Sequence, residues 1–145
     1  MLKLSKKSDY GLIAMKHLAT CAEDGAQSAS EIAEAYGISS PLMAKVLQKL
    51  ARGRLVTAQH GSAGGYRLAR RPDEITALDV INAVDGPVFI TSCVTTHGEC
   101  DQSTTCIVRE PLRRVNDSIM QVLSTVTISQ MSEEPEQPAL VQMQA

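Results

Sequence analysis

Apolar residues keep helical spacing along most of this chain, interrupted once by short strand-like segments. Leu12, Ile13, Met15, Ala19 and Ala22 supply one helical face. They predict a first helix from about Ser5 to Ala22, ended by Glu23-Asp24-Gly25. Ser28-Ala29-Ser30-Glu31 is a capping box, in which the serine hydroxyl and the glutamate carboxylate each take a free backbone N–H. It opens a short helix, Glu31 to Tyr36, stopped at Gly37. Ser39-Ser40-Pro41 starts a third helix, which carries Leu42, Val46 and Leu50 at steps of four and runs to about Arg52. Leu55 to Gln59 and Tyr66 to Ala69 read as strands joined by the turn His60 to Gly65. Two short capped helices joined through Gly37-Ile38-Ser39 make a helix-turn-helix, and a ribbon directly after it is a wing.

Beyond the wing, Thr76-Ala77-Leu78-Asp79 caps a short helix to Val84, stopped by Asp85-Gly86-Pro87. Residues 91–106 are rich in Thr, Ser, Gly and Asp and read as a loop. Val108, Leu112, Val115, Ile119, Val122 and Val126 then recur at alternating steps of four and three, a heptad seam. Arg109, Arg113, Arg114, Asn116, Asp117 and Gln121 are assigned to its other faces. The seam is expected to pair two copies of the chain, because winged-helix regulators need two half-site readers. The predicted architecture is mainly α: a winged helix-turn-helix over residues 1–72, a linking helix and cysteine loop over 73–107, a dimerisation helix over 108–127, and a disordered tail over 128–145.

Charge changes the picture. Eleven Lys/Arg against five Asp/Glu give residues 1–72 a net charge of +6, whereas three against eleven leave residues 73–145 at −8. A basic half carrying a winged helix points to double-stranded DNA. The N-terminal part of the third helix should enter the major groove, presenting Ser39, Ser40, Pro41, Met43, Ala44 and Lys45. Lys45, Lys49 and Arg52 suit phosphates, which give affinity and register rather than sequence choice. Ser28, at the cap of the second helix, joins the interface, together with His60, Gly64, Gly65 and Arg67 of the wing. No run of residues is long and apolar enough for a membrane span, and the N-terminus lacks the apolar stretch of a signal peptide. These features place the chain in the cytoplasm. With no nucleophile–base arrangement and no phosphate loop, neither an enzyme nor a small-molecule substrate is expected.

Three of the four cysteines, Cys93, Cys100 and Cys106, share one loop, while Cys21 sits on the first helix as a core or half-buried residue. In a reducing compartment three clustered thiols are expected to converge on a metal rather than to form disulfides. Their spacing does not match the tight pairs of structural zinc sites, and thiolates suit iron–sulfur clusters as well as zinc.

Leu4-Ser5-Lys6, Ser8-Asp9-Tyr10-Gly11, Ser30-Glu31-Ile32-Ala33, Lys45-Val46-Leu47 with Leu50, Gly64-Gly65-Tyr66, the three loop cysteines and Val126-Thr127 together resemble the IscR/NsrR-type winged-helix regulators. Within them the chain looks most like the regulators of the SUF iron–sulfur assembly system. The resemblance implies a homodimer with one two-iron or four-iron cluster per subunit, whose state controls repression of iron–sulfur assembly genes. A nitric-oxide or redox sensor on the same scaffold, or a DNA-binding protein with a structural zinc, are the alternatives. The resemblance also bears on the fourth ligand. IscR-type members have a His three residues after the last cysteine, where this chain has Arg109, a permanent cation that cannot bind iron. NsrR-type members use an Asp of the partner's first helix, a place that Asp9 occupies here, with His97 in the loop as the competitor.

Overall fold

The structure, a computed structural model, describes residues 3–91, 101 and 104–133. Among these, helix α1 spans Lys6–Thr20, α2 Ala29–Tyr36, α3 Ser40–Arg52, α4 Ala77–Asp85, α5 Arg109–Thr125 and α6 Ile128–Ser132. Strands β1 (Val56–Gln59) and β2 (Gly65–Leu68) pair antiparallel, with Ala58 opposite Tyr66. The fold is a winged helix-turn-helix, mainly helical, as the pattern predicts.

Local chemistry sets the helix ends. Ser5 caps α1 by accepting the Ser8 N–H, and the predicted capping box of Ser28 and Glu31 starts α2. Gly37 ends α2 in the left-handed conformation (φ 64°), which a side chain would disfavour. Thr76 and Asp79 form a reciprocal box at the start of α4. α1 stops at Thr20 rather than Ala22, and residues Ala22–Asp24 continue as one 3-10 turn.

One core runs through the described residues. Met15, Ile32, Met43, Leu47, Leu50, Ile75, Val80 and Ile128 are completely buried. The buried face of α1 is Ser8, Gly11, Ala14, Met15 and Leu18; Leu12, Ile13 and Ala19 of the predicted face lie at its margins, and Ala22 is exposed. Gly11 is there because α4 crosses closely: a Cβ on it would meet Val84 Cγ2 at 3.0 Å and Val80 Cγ1 at 3.2 Å. α4 therefore contributes Val80 and Val84 to the same core as the helix-turn-helix, and residue 72 does not divide two hydrophobic cores.

The tail requires a correction. Residues 128–132, expected to be disordered, form α6, which packs on α1. Thr127 and Gln130 make a third capping box, and Ile128 is completely buried. The chain is pinned where it returns: Ala77 N–H donates to the Val126 carbonyl (2.8 Å) and Ile128 N–H to that of Ile75 (2.9 Å). Residues 134–145 lie outside the described residues. Among the described residues no helix is long and apolar enough to cross a membrane.

Candidate nucleic-acid interface and cysteine segment

α3 is divided lengthwise. Met43, Val46, Leu47 and Leu50, at the i, i+3, i+4, i+7 spacing of one helical face, are buried, while Ser39, Ser40, Pro41, Lys45 and Gln48 are exposed and Ala44 is half-exposed. Met43 was expected at the groove. Its side chain instead fills the core, because Met43 shares one helical face with Val46, Leu47 and Leu50. Lys49 also departs from expectation. Its ammonium donates to the Val84 carbonyl at 2.9 Å, which draws it onto the end of α4 and away from the role of a free phosphate contact. Gln48, which the sequence reading passed over, stands on the outer face three residues after Lys45 and four after Ala44. That spacing was the available signal, and a primary amide can form a bidentate pair with adenine.

The wing is built onto the helical body. β2 pairs beyond β1 with the connection before α2: Gln27 N–H donates to the Tyr66 carbonyl (3.0 Å) and Tyr66 N–H to that of Gln27 (2.8 Å). This explains both wing glycines internally. A Cβ on Gly65 would lie 2.5 Å from the Gln27 carbonyl carbon, and one on Gly64 2.5 Å from the Gln59 oxygen. The wing sequence requires Gly64 and Gly65 for its own closure, whatever approaches it from outside. His60 and Arg67 are exposed. The Ser28 hydroxyl is occupied by the Glu31 N–H, and the Ser28 N–H by the Glu31 carboxylate (2.6 Å). The Ser28 N–H, and after it the Ser28 hydroxyl beside the carboxylate, hold the Glu31 carboxyl below its ordinary pKa, with a smaller contribution from His17.

Of the predicted cluster residues, Cys93, Cys100 and His97 lie outside the described residues. Cys106 is half-buried with a free thiol and precedes α5, and Arg109 at the start of α5 is exposed. Asp9 is half-buried in the first turn of α1, its N–H on the Ser5 carbonyl (3.1 Å). Cys21 sits at the other end of α1, about 18 Å along the axis from Asp9, with Sγ 3.7 Å from His17 Nε2. Within one chain the two cannot share one metal ion. Among the described residues no three His, Cys, Asp or Glu side chains are grouped to hold a metal.

α5 joins the body through the side chain of Asn116, buried rather than on an outer face as expected, whose Oδ1 accepts the Ile90 N–H at 3.2 Å. Its heptad seam remains largely open: Val108, Val115 and Val122 are about half exposed or more. Arg114, Val115, Ser118, Ile119, Val122 and Leu123 line a shallow apolar groove along it.

Residues 4–134 match the model of the Rrf2 family, described as iron-dependent transcriptional regulators. The HTH-type transcriptional regulator IscR of Aliivibrio salmonicida is 33% identical over 132 residues, which cover 90% of this chain and 77% of that protein. Among solved structures, CymR, the global cysteine regulator of B. subtilis, superposes with a TM-score of 0.78 at 31% identity, over 91% of this chain and 97% of that one. IscR of T. potens superposes with a TM-score of 0.72 at 32% identity, over 90% and 85% of the two chains.

Proposed function

The chain belongs to the Rrf2 family of transcriptional regulators, and on that premise we propose that it is a homodimeric repressor of SUF iron–sulfur assembly genes, controlled by an iron–sulfur cluster on Cys93, Cys100 and Cys106. The division of α3 carries the DNA-reading part. One face is wholly committed to the core, and the other offers small residues, the cations Lys45 and Arg52 and one amide. Lys45 and Arg67 neutralise phosphates, His60 adds a polar contact from the wing, and Gln48 reads a base edge. Ser39, Ser40, Pro41 and Ala44 allow close approach to the groove.

The donor set fits an iron–sulfur cluster: three thiols in one segment, with Cys106 free and half-buried immediately before a long helix. Asp9 completes the set from the partner chain as a weak oxygen ligand. When bound, the cluster supplies a centre that responds to oxidation and to loss of iron. The chain's own residues do the rest: α5 pairs the subunits, and Asp9 ties α1 of one subunit to the cysteine segment of the other. Anaerobic purification followed by a visible spectrum and iron, sulfide and zinc analysis tests this reading. Brown protein with iron and sulfide is expected; colourless protein with stoichiometric zinc would overturn it.

A further inference from the structure

Three helix ends meet at Asp85. Its carboxylate Oδ2 accepts hydrogen bonds from the hydroxyls of Ser5 and Ser8, the latter at 2.6 Å. Ser8 is completely buried, so its hydroxyl has no water to turn to. Beside it, the Lys49 ammonium of α3 donates to the Val84 carbonyl, one of the last of α4. The charges suit the helix ends they occupy. An anion lies at the amide end of α1, and a cation at the carbonyl end of α4. Close contact of Gly11 with Val80 and Val84 holds the α1–α4 crossing beneath them.

The chain leaves this junction through Gly86 (φ 80°) and Pro87, and by Ile90 it is tethered again, on Asn116 of α5. The strap between these two tethers is the only covalent path from α4 toward the cysteines. A displacement of the cysteine segment can therefore reach α5 directly, since Cys106 leads into it, and can reach the recognition helix through the strap and the junction. Asp9 follows Ser8 directly, so the same junction also sets where α1 presents it.

We propose that Asp85 is a positioning residue whose clamp on Ser5 and Ser8, beside the Lys49–Val84 bond, couples the cysteine segment to the DNA-recognition helix. Its sensing role rests on the reading of Cys93, Cys100 and Cys106 as cluster ligands; the mechanical link does not. Coupling between sites is reciprocal, so DNA bound at α3 must also alter the strap.

Hydrogen exchange on the full chain tests both directions in the wild type, Asp85→Ala, Ser8→Ala and Asp85→Asn. In the first arm, protein reconstituted with ferrous iron and sulfide is compared with apoprotein, loading being read by absorbance. Exchange within residues 40–52 should change by about tenfold in the wild type. In Asp85→Ala and Ser8→Ala the change should fall toward unity at equal loading. Asp85→Asn, which keeps an acceptor for the serine hydroxyls, should retain most of it. In the second arm, apoprotein is mixed with a mixed-sequence DNA duplex at low salt, and exchange at Val88 to Ile90 should follow the same order. A merely structural role would raise exchange equally with and without ligand and leave the ratio unmoved. Absence of a cluster in the wild type would sink the iron–sulfur reading while the second arm still decides the clamp. Wild-type ratios in both Asp85→Ala and Ser8→Ala, or no response of the strap to DNA in the wild type, would overturn the proposal. Should Asp85→Ala fail to fold, Ser8→Ala alone decides.

Discussion

Lys45 and Gln48 stand about one helical turn apart on the outer side of α3, and their chemistry divides the work of binding DNA. An ammonium on a phosphate releases counterions whatever the sequence, so Lys45→Ala should weaken binding to all duplexes and lower the salt slope by about 0.9. Arg67→Ala should do the same from the wing. Gln48→Ala should leave the slope unmoved and relax the preference at one base pair by about 1–3 kcal/mol. Affinities for matched and mismatched duplexes across a salt series separate these outcomes, and a slope change in Gln48→Ala would reverse its assignment. Asp85 sets a pH dependence. Partial burial pushes its carboxyl upward, but the hydrogen bonds from Ser5 and Ser8 and the charges of Lys49 and Lys7 outweigh it, and the net shift is downward. A carboxyl with a lowered folded-state pKa stabilises the fold above its unfolded value and loses that contribution as pH falls through the folded one. The melting temperature of the wild type should therefore fall faster than that of Asp85→Asn below about pH 4; parallel curves would show that the carboxylate contributes nothing. At this scale the sequence is an uneven guide. Ser28 and Glu31 announce their box because the partners are three residues apart. Ser8 and Gly11 look like surface residues until α4 is laid across them, and Met43, though near the start of α3, turns inward with Val46, Leu47 and Leu50.

Helix α5 is amphipathic with its apolar edge uncovered. Val115 is 47% and Val122 61% exposed in the single chain, an unfavourable arrangement in water unless something packs there. If a second α5 does, Val115→Lys with Ile119→Lys would bury two unpaired ammonium groups, each costing several kcal/mol. Sedimentation should then show monomers with unchanged helical content, whereas persistent dimers would place the interface elsewhere. The heptad was legible because periodicity is local. The role of Asn116 was not: its partner amide, Ile90, is 26 residues away, and only tertiary folding creates an N–H in need of an acceptor. α6 was legible in principle, since Thr127-Ile128-Ser129-Gln130 is the capping-box pattern used successfully at Ser28. The glutamates and prolines just after it drew the whole segment into the reading of a disordered tail.

For the molecule as a whole, the fold follows from caps, periodicity and charge, while the sensing chemistry rests on residues whose convergence no local pattern fixes. Cys93→Ala, Cys100→Ala and Cys106→Ala should each abolish cluster assembly, whereas Cys21→Ala should not, since Cys21 lies at the far end of α1 with His17 as its neighbour. Asp9→Ala should assemble a less stable cluster with an altered DNA response. Reconstitution followed by absorbance and operator binding ranks these variants. Normal assembly in any one loop-cysteine variant would break the three-thiol model, and an effect of His97→Ala with none of Asp9→Ala would move the fourth ligand into the loop.

The hydrogen bonds of Ala77 with Val126 and of Ile128 with Ile75 give the chain the topology of a closed bight. Residues 77–126 depart from and return to one point, and between these feet α4 stays packed on the body and α5 is tethered by Asn116. In polymer terms, the length of such a bight is nearly free. Doubling a flexible closed loop costs only about 0.6 kcal/mol, and its feet need not move. Residues can therefore be added or lost around the cysteines without changing the spacing between recognition helix and wing. The residues between the feet of the bight can diverge between relatives while the DNA-reading surface keeps its geometry.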